Sequence, residues 1–465
     1  MRRWQNLAAP DDPGSWYDVD GFLPSDKGTY GSQYGHSSAT STATGAGTVL
    51  YAHVAEALSS TLTFVVAGKI FSYADGSSSD ITNGVTIGSY PMMAQYGNVT
   101  ICAMGAGAAT VASISAGNFS ALAGAPNGEI VVIQSNCVLI FNTSANVDGW
   151  AASDVGDYTN WTTGEAASGR LIATPGPITA AVAFGDSVIV FKSGSTYRMR
   201  YVGGAVKWVI ELIHSTLGCG TNTNAYQDKY SAAASHGGVL FLTRGRQQPN
   251  PSQRNGKDYY WLNGSGQFEL VNPLTKLGPT SGVPMIRYAA EDDAFSICGQ
   301  SAANAMWFWS PVSRNWGASS VTGIPSGGTQ AFGNAGSNRG IQPVAFYKSN
   351  NNELTRYTPS AGTATSQSIY LQTSMTGKPN RKTKFLRLIP ILHARSATVA
   401  LSVDRYRELH DASPANTDAV TESTQRKRFD MALTDNFARF KVTFSGSPSV
   451  EVDDFLIDAA DAGRD

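Results

Sequence analysis

The chain has 465 residues, 42% of them hydrophobic and only 15% charged, with a formal net charge of −1. That length exceeds one ordinary compact unit and that apolar share suffices for a real core, so two or more packed domains are expected. The balanced charge excludes a global basic field for nucleic acid or membrane surfaces, no apolar run approaches the roughly eighteen residues that cross a bilayer, and four scattered cysteines (Cys102, Cys137, Cys219, Cys298) without a C-x-x-C pair exclude zinc-ribbon and redox motifs.

Residues 1–45 are rich in Gly, Ser, Pro, Asp and Tyr and show no sustained periodicity. Trp4, Trp16, Tyr17, Phe22, Tyr30 and Tyr34 argue against plain disorder, which is poor in aromatics. The segment is expected to be an extended arm, suited to docking on another subunit. It opens without an apolar core of the secretory type, so no leader is expected.

From about 46 to 365 the chain alternates short runs of Val, Ile, Leu, Phe, Tyr and Ala with turn clusters. Turns at Gly68, Gly97, Gly128, Gly185 and Gly237 each feed a β-type run, the pattern of antiparallel hairpins. Residues 180–204 are the clearest case, reading strand, tight turn, strand, tight turn, strand. A second figure places a bulky aromatic after a polar turn, as at Trp150, Phe268 and Trp316, where it would open an outer strand. Turn positions near 185, 237 and 292 recur at the length of one four-stranded propeller blade. The expected fold class is all-β, an irregular β-propeller of about six blades over 46–365.

Near residue 366 the composition shifts: charges become dense and Gly and Trp scarce. Runs around Lys384, Val399 and Phe440 alternate with period two, as half-buried strands do, and Asp411 to Thr424 reads as a long loop. Residues 366–465 are expected to form an additional, sandwich-like β domain serving as a platform or interface.

The chemistry-bearing patterns are sparse. The sequence contains no G-x-S-x-G, H-E-x-x-H, Walker or Rossmann fingerprint. The six histidines are dispersed, and acidic clusters at Asp11/Asp12, Asp18/Asp20, Glu291–Asp293 and Glu451/Asp453/Asp454 read as solvated turn chemistry. No catalytic residue, cofactor site or metal site is expected, and the chain does not read as an enzyme. The strongest charge feature is the basic run Lys378, Arg381, Lys382, Lys384 and Arg387. Three uses are open to it: phosphate contact through counterion release, the rim of a subunit interface, or a basic strand edge that blocks aggregation.

Three stretches carry a family resemblance: Trp161–Gly164 continuing through Gly169–Lys192, Pro379–Leu388, and Asn436–Gly446 with the terminal Ala462–Arg464. Together they resemble the tail nozzle, or packaged-DNA stabilisation, proteins of short-tailed bacteriophages. The resemblance implies a structural virion protein, assembled in the host cytoplasm, of which typically six copies ring a channel below the portal and adaptor. It implies tail fibres or tailspikes as further partners and transient contact with double-stranded DNA during retention and ejection. A conduit lined with Lys and Arg would retard DNA through phosphate attraction. The run from 378 to 387 is therefore expected to face a neighbouring subunit or the adaptor rather than the lumen. The alternative reading of the same fold is a glycan-binding or glycan-cleaving propeller.

Overall fold

The computed structural model describes residues 117–220 without interruption and, on either side between residues 16 and 463, chiefly strands and the turns that join them. Six consecutive four-strand antiparallel units follow one another along the chain. Blade 1 runs Val49–Ala55, Thr61–Val66, Lys69–Ala74, Ser77–Asp80. Blade 2 runs Met92–Tyr96, Val99–Ala103, Val111–Ile114, Phe119–Ala121. Blade 3 runs Gly128–Gln134, Cys137–Thr143, Gly149–Ala152, Ala167–Arg170. Blade 4 runs Ile178–Phe184, Ser187–Lys192, Thr196–Gly203, Lys207–His214. Blade 5 runs Ala232–Ala234, Gly238–Arg244, Lys257–Asn263, Phe268–Leu270. Blade 6 runs Met285–Ala289, Ala294–Cys298, Ala305–Trp309, Trp316–Ser320.

The first strands of successive blades lie side by side, which makes them the inner ring of a propeller. The hydrophobic clusters sit between blades. One joins blades 2 and 3 through Ile101, Val131, Val138 and Ile140. The next joins blades 3 and 4 through Leu139, Phe141, Val188 and Val190. A third joins blades 4 and 5 through Ile189, Phe191, Val239 and Phe241. A strand held between two neighbours must be apolar on both faces, which is why Val138–Phe141 and Val188–Phe191 are continuous apolar runs, buried throughout.

The glycine turns follow from the same geometry. Gly97 and Gly185 hold φ of 50° and 60° between the first and second strands of their blades, a region open to glycine without Cβ strain. Gly128 differs from the expectation. It opens the inner strand of blade 3 and is no hairpin tip, because the turn falls at Ser135–Asn136, both with positive φ. Trp316 and Phe268 open fourth strands as expected, whereas Trp150 sits in the third strand of blade 3, with Ala167–Arg170 outside it.

A further three-stranded sheet pairs Ala345–Lys348, Glu353–Tyr357 and His36–Ser38, and Gly333–Asn334 pairs in parallel with Val49–Ala55. The last sheet of the propeller region is thus completed by a strand from before residue 45.

The C-terminal region consists of two sheets. One orders Trp16–Asp20, Ile369–Thr373, Phe437–Ser445, Thr398–Tyr406, Asn416–Glu422; the other orders Phe22–Pro24, Tyr30–Ser32, Val450–Gly463, Lys382–Ala394, Phe429–Asp435. They pack face to face through Phe385, Leu388 and Phe429 against Leu401, Val403, Phe440 and Val442, with the Phe385 and Phe440 rings 5.4 Å apart, edge to face. The same cluster takes in Leu240, Trp261, Phe295 and Trp309 of blades 5 and 6. Two expectations are corrected here. The described part of the arm is not a free extension: its strands belong to both C-terminal sheets and to the three-stranded sheet, and two of them run against the outer strand of blade 6. The expected loop at 411–424 contains the strand Asn416–Glu422, whose alternation is masked by its polar side chains.

Candidate functional site

Of the basic run, Lys378 and Arg381 lie outside the described residues. Lys382 opens the 13-residue strand Lys382–Ala394, which is paired on both sides, to Phe429–Asp435 and to Val450–Gly463. The strand is interior, so the reading of a protective sheet edge is corrected. Along it, Thr383, Phe385 and Leu388 are buried, Lys384 is exposed and Arg387 is half-buried. Arg387 stands in register between Asp430 on one neighbour and Asp458 on the other. Arg387 thus sits at a central position of its sheet, half-buried, and not on an open basic surface. The run therefore does not present one basic strip, and Lys384 is its exposed member among the described side chains.

A different cluster lies at the propeller axis. The connector from blade 4 to blade 5 ends in a single turn of 3-10 helix, Asp228–Tyr230. The Lys229 ammonium reaches Glu129 of the blade 3 inner strand, donating to its carbonyl at 3.2 Å and lying 3.7 Å from carboxylate Oε2. Tyr230 donates its hydroxyl to the Pro91 carbonyl, just before the inner strand of blade 2, at 2.6 Å. The turn that enters blade 5 thus spans the ends of the inner strands, packing on that of blade 4 and bonding to blades 2 and 3. The contacts fall at the starts of inner strands, so they share one face of the propeller.

These contacts are buried. The Lys229 and Glu129 side chains are 1% and 8% exposed. Burial depresses the Lys229 ammonium to about 8, opposed by Glu129 and, more weakly, by Cys102. Burial likewise pushes the Cys102 thiol far up, which removes it as a nucleophile. A second buried ammonium belongs to blade 4. Lys192, fully buried at the end of the second strand of blade 4, donates its ammonium to the carbonyls of Leu171 and Thr174. Its own carbonyl accepts from the Cys219 amide at 2.9 Å, and the Cys219 carbonyl accepts from Thr179 Oγ1 at 2.6 Å. Gly218 lies so close that a Cβ there would be 1.9 Å from the Lys192 carbonyl oxygen.

A buried amine beside a carboxylate and a thiol is a combination that enzymes use, but here all three groups are buried. What the arrangement can do is lock one connector onto the inner strands. Sequence reasoning missed it. The available signal is Glu129, a lone carboxylate opening the buried run Ile130–Val132, since a charge at such a place needs a partner. Lys229 itself, in a polar connector, carries no such mark.

Among the described residues no three His, Cys, Asp or Glu side chains are grouped to hold a metal ion, and no helix is long and apolar enough to cross a membrane. Cys102, Cys137 and Cys219 are buried.

No protein-family model and no curated protein matches the chain. Among solved structures, similarity extends to the extracellular domain of the hybrid two component system BT4673 from B. thetaiotaomicron, at 11% identity and a TM-score of 0.46, covering 76% of this chain and 46% of that one. The Neurospora crassa Pan2 WD40 domain is similar at 10% identity and a TM-score of 0.42, covering 70% and 95%. The N-terminal domain of Nup159 is similar at 10% identity and 0.40, covering 76% and 97%. Scores of this size leave the architecture to rest on the strand pairing itself.

Proposed function

We propose that this chain is a structural subunit of a short phage tail, several copies of which ring a channel that retains and then conducts DNA, and that this channel lies between copies. The observation that carries the reading is the closed axis. A propeller that cleaves glycans needs a pair of carboxylates free to face the sugar. Here the inner-strand carboxylate Glu129 is buried against Lys229, and the buried Tyr230 is bonded to the Pro91 carbonyl. Inner strands that lie side by side leave no passage for a duplex between them, so a DNA channel needs a ring of copies. The formal net charge of −1 suits a lumen that does not hold phosphates. The expected partners are further copies of the chain, a portal and adaptor above, and fibre or tailspike proteins.

The test is assembly. Purified protein mixed with a portal–adaptor complex is expected to form a ring around a central opening, visible in class averages of electron micrographs, with the blade axes closed. A chain that never joins such a complex and is retained on an oligosaccharide column overturns the proposal in favour of the glycan reading.

A further inference from the structure

The outermost strand of each blade exposes unpaired backbone groups, and proteins blunt such edges by shortness, polarity or cover. Five of the six blades do so. The outer strands of blades 2 and 5 have three residues each. Those of blades 1 and 3 read Ser-Ser-Ser-Asp and Ala-Ser-Gly-Arg. That of blade 6 lies against the strands Trp16–Asp20 and Phe22–Pro24. Blade 4 is the exception. Its outer strand Lys207–His214 has eight residues, of which Val209, Ile210 and Leu212 are 40%, 37% and 39% exposed. Val202 and Val206, in the hairpin that leads into it, extend the apolar strip.

We propose that this edge is covered by a second copy of the same chain, the two Lys207–His214 strands pairing antiparallel about a two-fold axis at Ile210. The strand's own chemistry points to itself as the partner. One face carries Trp208, Ile210 and Leu212, in register with Tyr201, Met199 and Tyr197 of the adjacent strand. The other carries Val209 and Glu211, in register with Arg200 and Arg198. Glu211 thus has an opposite charge across its own ladder, and a partner strand need bring none.

Register follows from what the neighbouring alternatives would cost. Lys207 cannot extend the pairing, because its backbone is left-handed (φ 57°) and its ammonium is held 2.7 Å from the carbonyls of Gly164 and Ala166. Centring on Glu211 would set two carboxylates face to face, which destabilises a ladder. Centring on Ile210 sets Ile210 on Ile210 and Trp208 on Leu212, a continuous apolar row, with Val209 opposite Glu211. Such an isologous contact uses each copy's edge once and closes at two. It is therefore independent of the ring reading and goes beyond it, as the state that protects this edge in the free protein.

Light scattering after size exclusion, at tens of micromolar, is the first measurement. The native chain is expected to have twice the monomer mass, and Ile210→Lys to halve it without altering circular dichroism. Ile172→Lys, at an apolar side chain 75% exposed and away from the edge, should leave the dimer intact. Ile210→Cys, a milder change, should give a disulfide-linked dimer under mild oxidation, whereas Ile172→Cys should not. A monomeric native chain, or a dimer indifferent to Ile210→Lys, overturns the inference. A larger ring that forms equally well with Ile210→Lys, with no dimer before it, overturns it too while leaving the ring reading standing.

Discussion

Replacing Glu129 by Gln isolates the energetics of the closed axis. The variant leaves the Lys229 ammonium fully buried with carbonyl contact but no counter-charge. Removing one partner of a buried ion pair costs about 3–5 kcal/mol. A chain of this size and make-up does not unfold in one step, so a global melting curve would blur the effect. Hydrogen exchange reads the local opening instead, at the amides that fix the connector. Suitable probes are Leu242, bonded to the Ser231 carbonyl at 2.9 Å, and Gly220, bonded to the Leu242 carbonyl at 3.0 Å. A loss of that size accelerates their exchange by about two to nearly four decades, at about 1.4 kcal/mol per decade. The double variant Lys229→Met with Glu129→Gln should recover most of the loss or exceed the native protection, since apolar replacement of a buried pair is often neutral or stabilising by about 1–4 kcal/mol. The native pair also has a pH signature. The folded state surrenders the Lys229 proton near 8 and the unfolded chain near 10.5. Between those values the unfolded state binds more protons, so local stability should rise with pH, a slope absent in the double variant. Unchanged exchange in Glu129→Gln would refute the argument, because it would mean that Lys229 is hydrated and the axis open.

Other sites test other parts of the account. Gly218→Ala forces a Cβ against the Lys192 carbonyl oxygen; overpacking of this kind costs about 1–3 kcal/mol, and faster hydrogen exchange is expected at the Cys219 amide, which bonds to that carbonyl. Phe440→Ala removes a ring from between the C-terminal sheets and should cost about 3–5 kcal/mol, read as protease sensitivity beginning in residues 366–465. Cys102, Cys137 and Cys219 are buried, and burial raises the Cys102 and Cys137 thiols, the latter to about 11. All three should resist iodoacetamide at pH 8 in the folded chain and react once denatured. Lys384→Glu, at an exposed position, should leave stability within about 0.5 kcal/mol and duplex binding in a filter assay unchanged, while weakening attachment to the adaptor. A loss of duplex binding would put Lys384 at the channel wall.

The repeat was legible because its cause is local. A strand flanked by blades on both faces must be a continuous apolar run, and a hairpin must turn on residues that tolerate positive φ. Residues 180–204 display both, and they are three strands of blade 4. The closed axis was not legible, because Lys229 and Glu129 are 100 residues apart and the need for a partner shows at one end only. Polar strands were the other blind spot. Asn416–Glu422 and His36–Ser38 lack the alternation that marks a strand, since their pairing is set by neighbours and not by their own side chains. The basic run was legible as charge but not as position: its central place in the sheet, with Arg387 between Asp430 and Asp458, depends on strands far along the chain.

Those distant pairings also constrain what the N-terminal segment can do. Trp16–Asp20 pairs with Ile369–Thr373, and Tyr30–Ser32 pairs with Val450–Gly463. His36–Ser38 completes the sheet of Ala345–Lys348 and Glu353–Tyr357. Each contact joins residues more than 300 positions apart in sequence, and loop-closure entropy must be met before any of them contributes. Pairings of this kind form late and slowly. Blades 2 to 4, whose contacts are between sequence neighbours, can consolidate first, whereas the C-terminal sandwich and the last sheet of the propeller region wait for the N-terminus. A chain shortened by residues 1–38 should therefore keep the protected amides of Val138–Phe141 and Val188–Phe191 in hydrogen exchange, yet lose protection at Phe440 and Val442. Equal protection at both places would mean that the sandwich stands without the N-terminal strands. The arm, drawn from the sequence as a tether to other subunits, would then be dispensable to the fold after all.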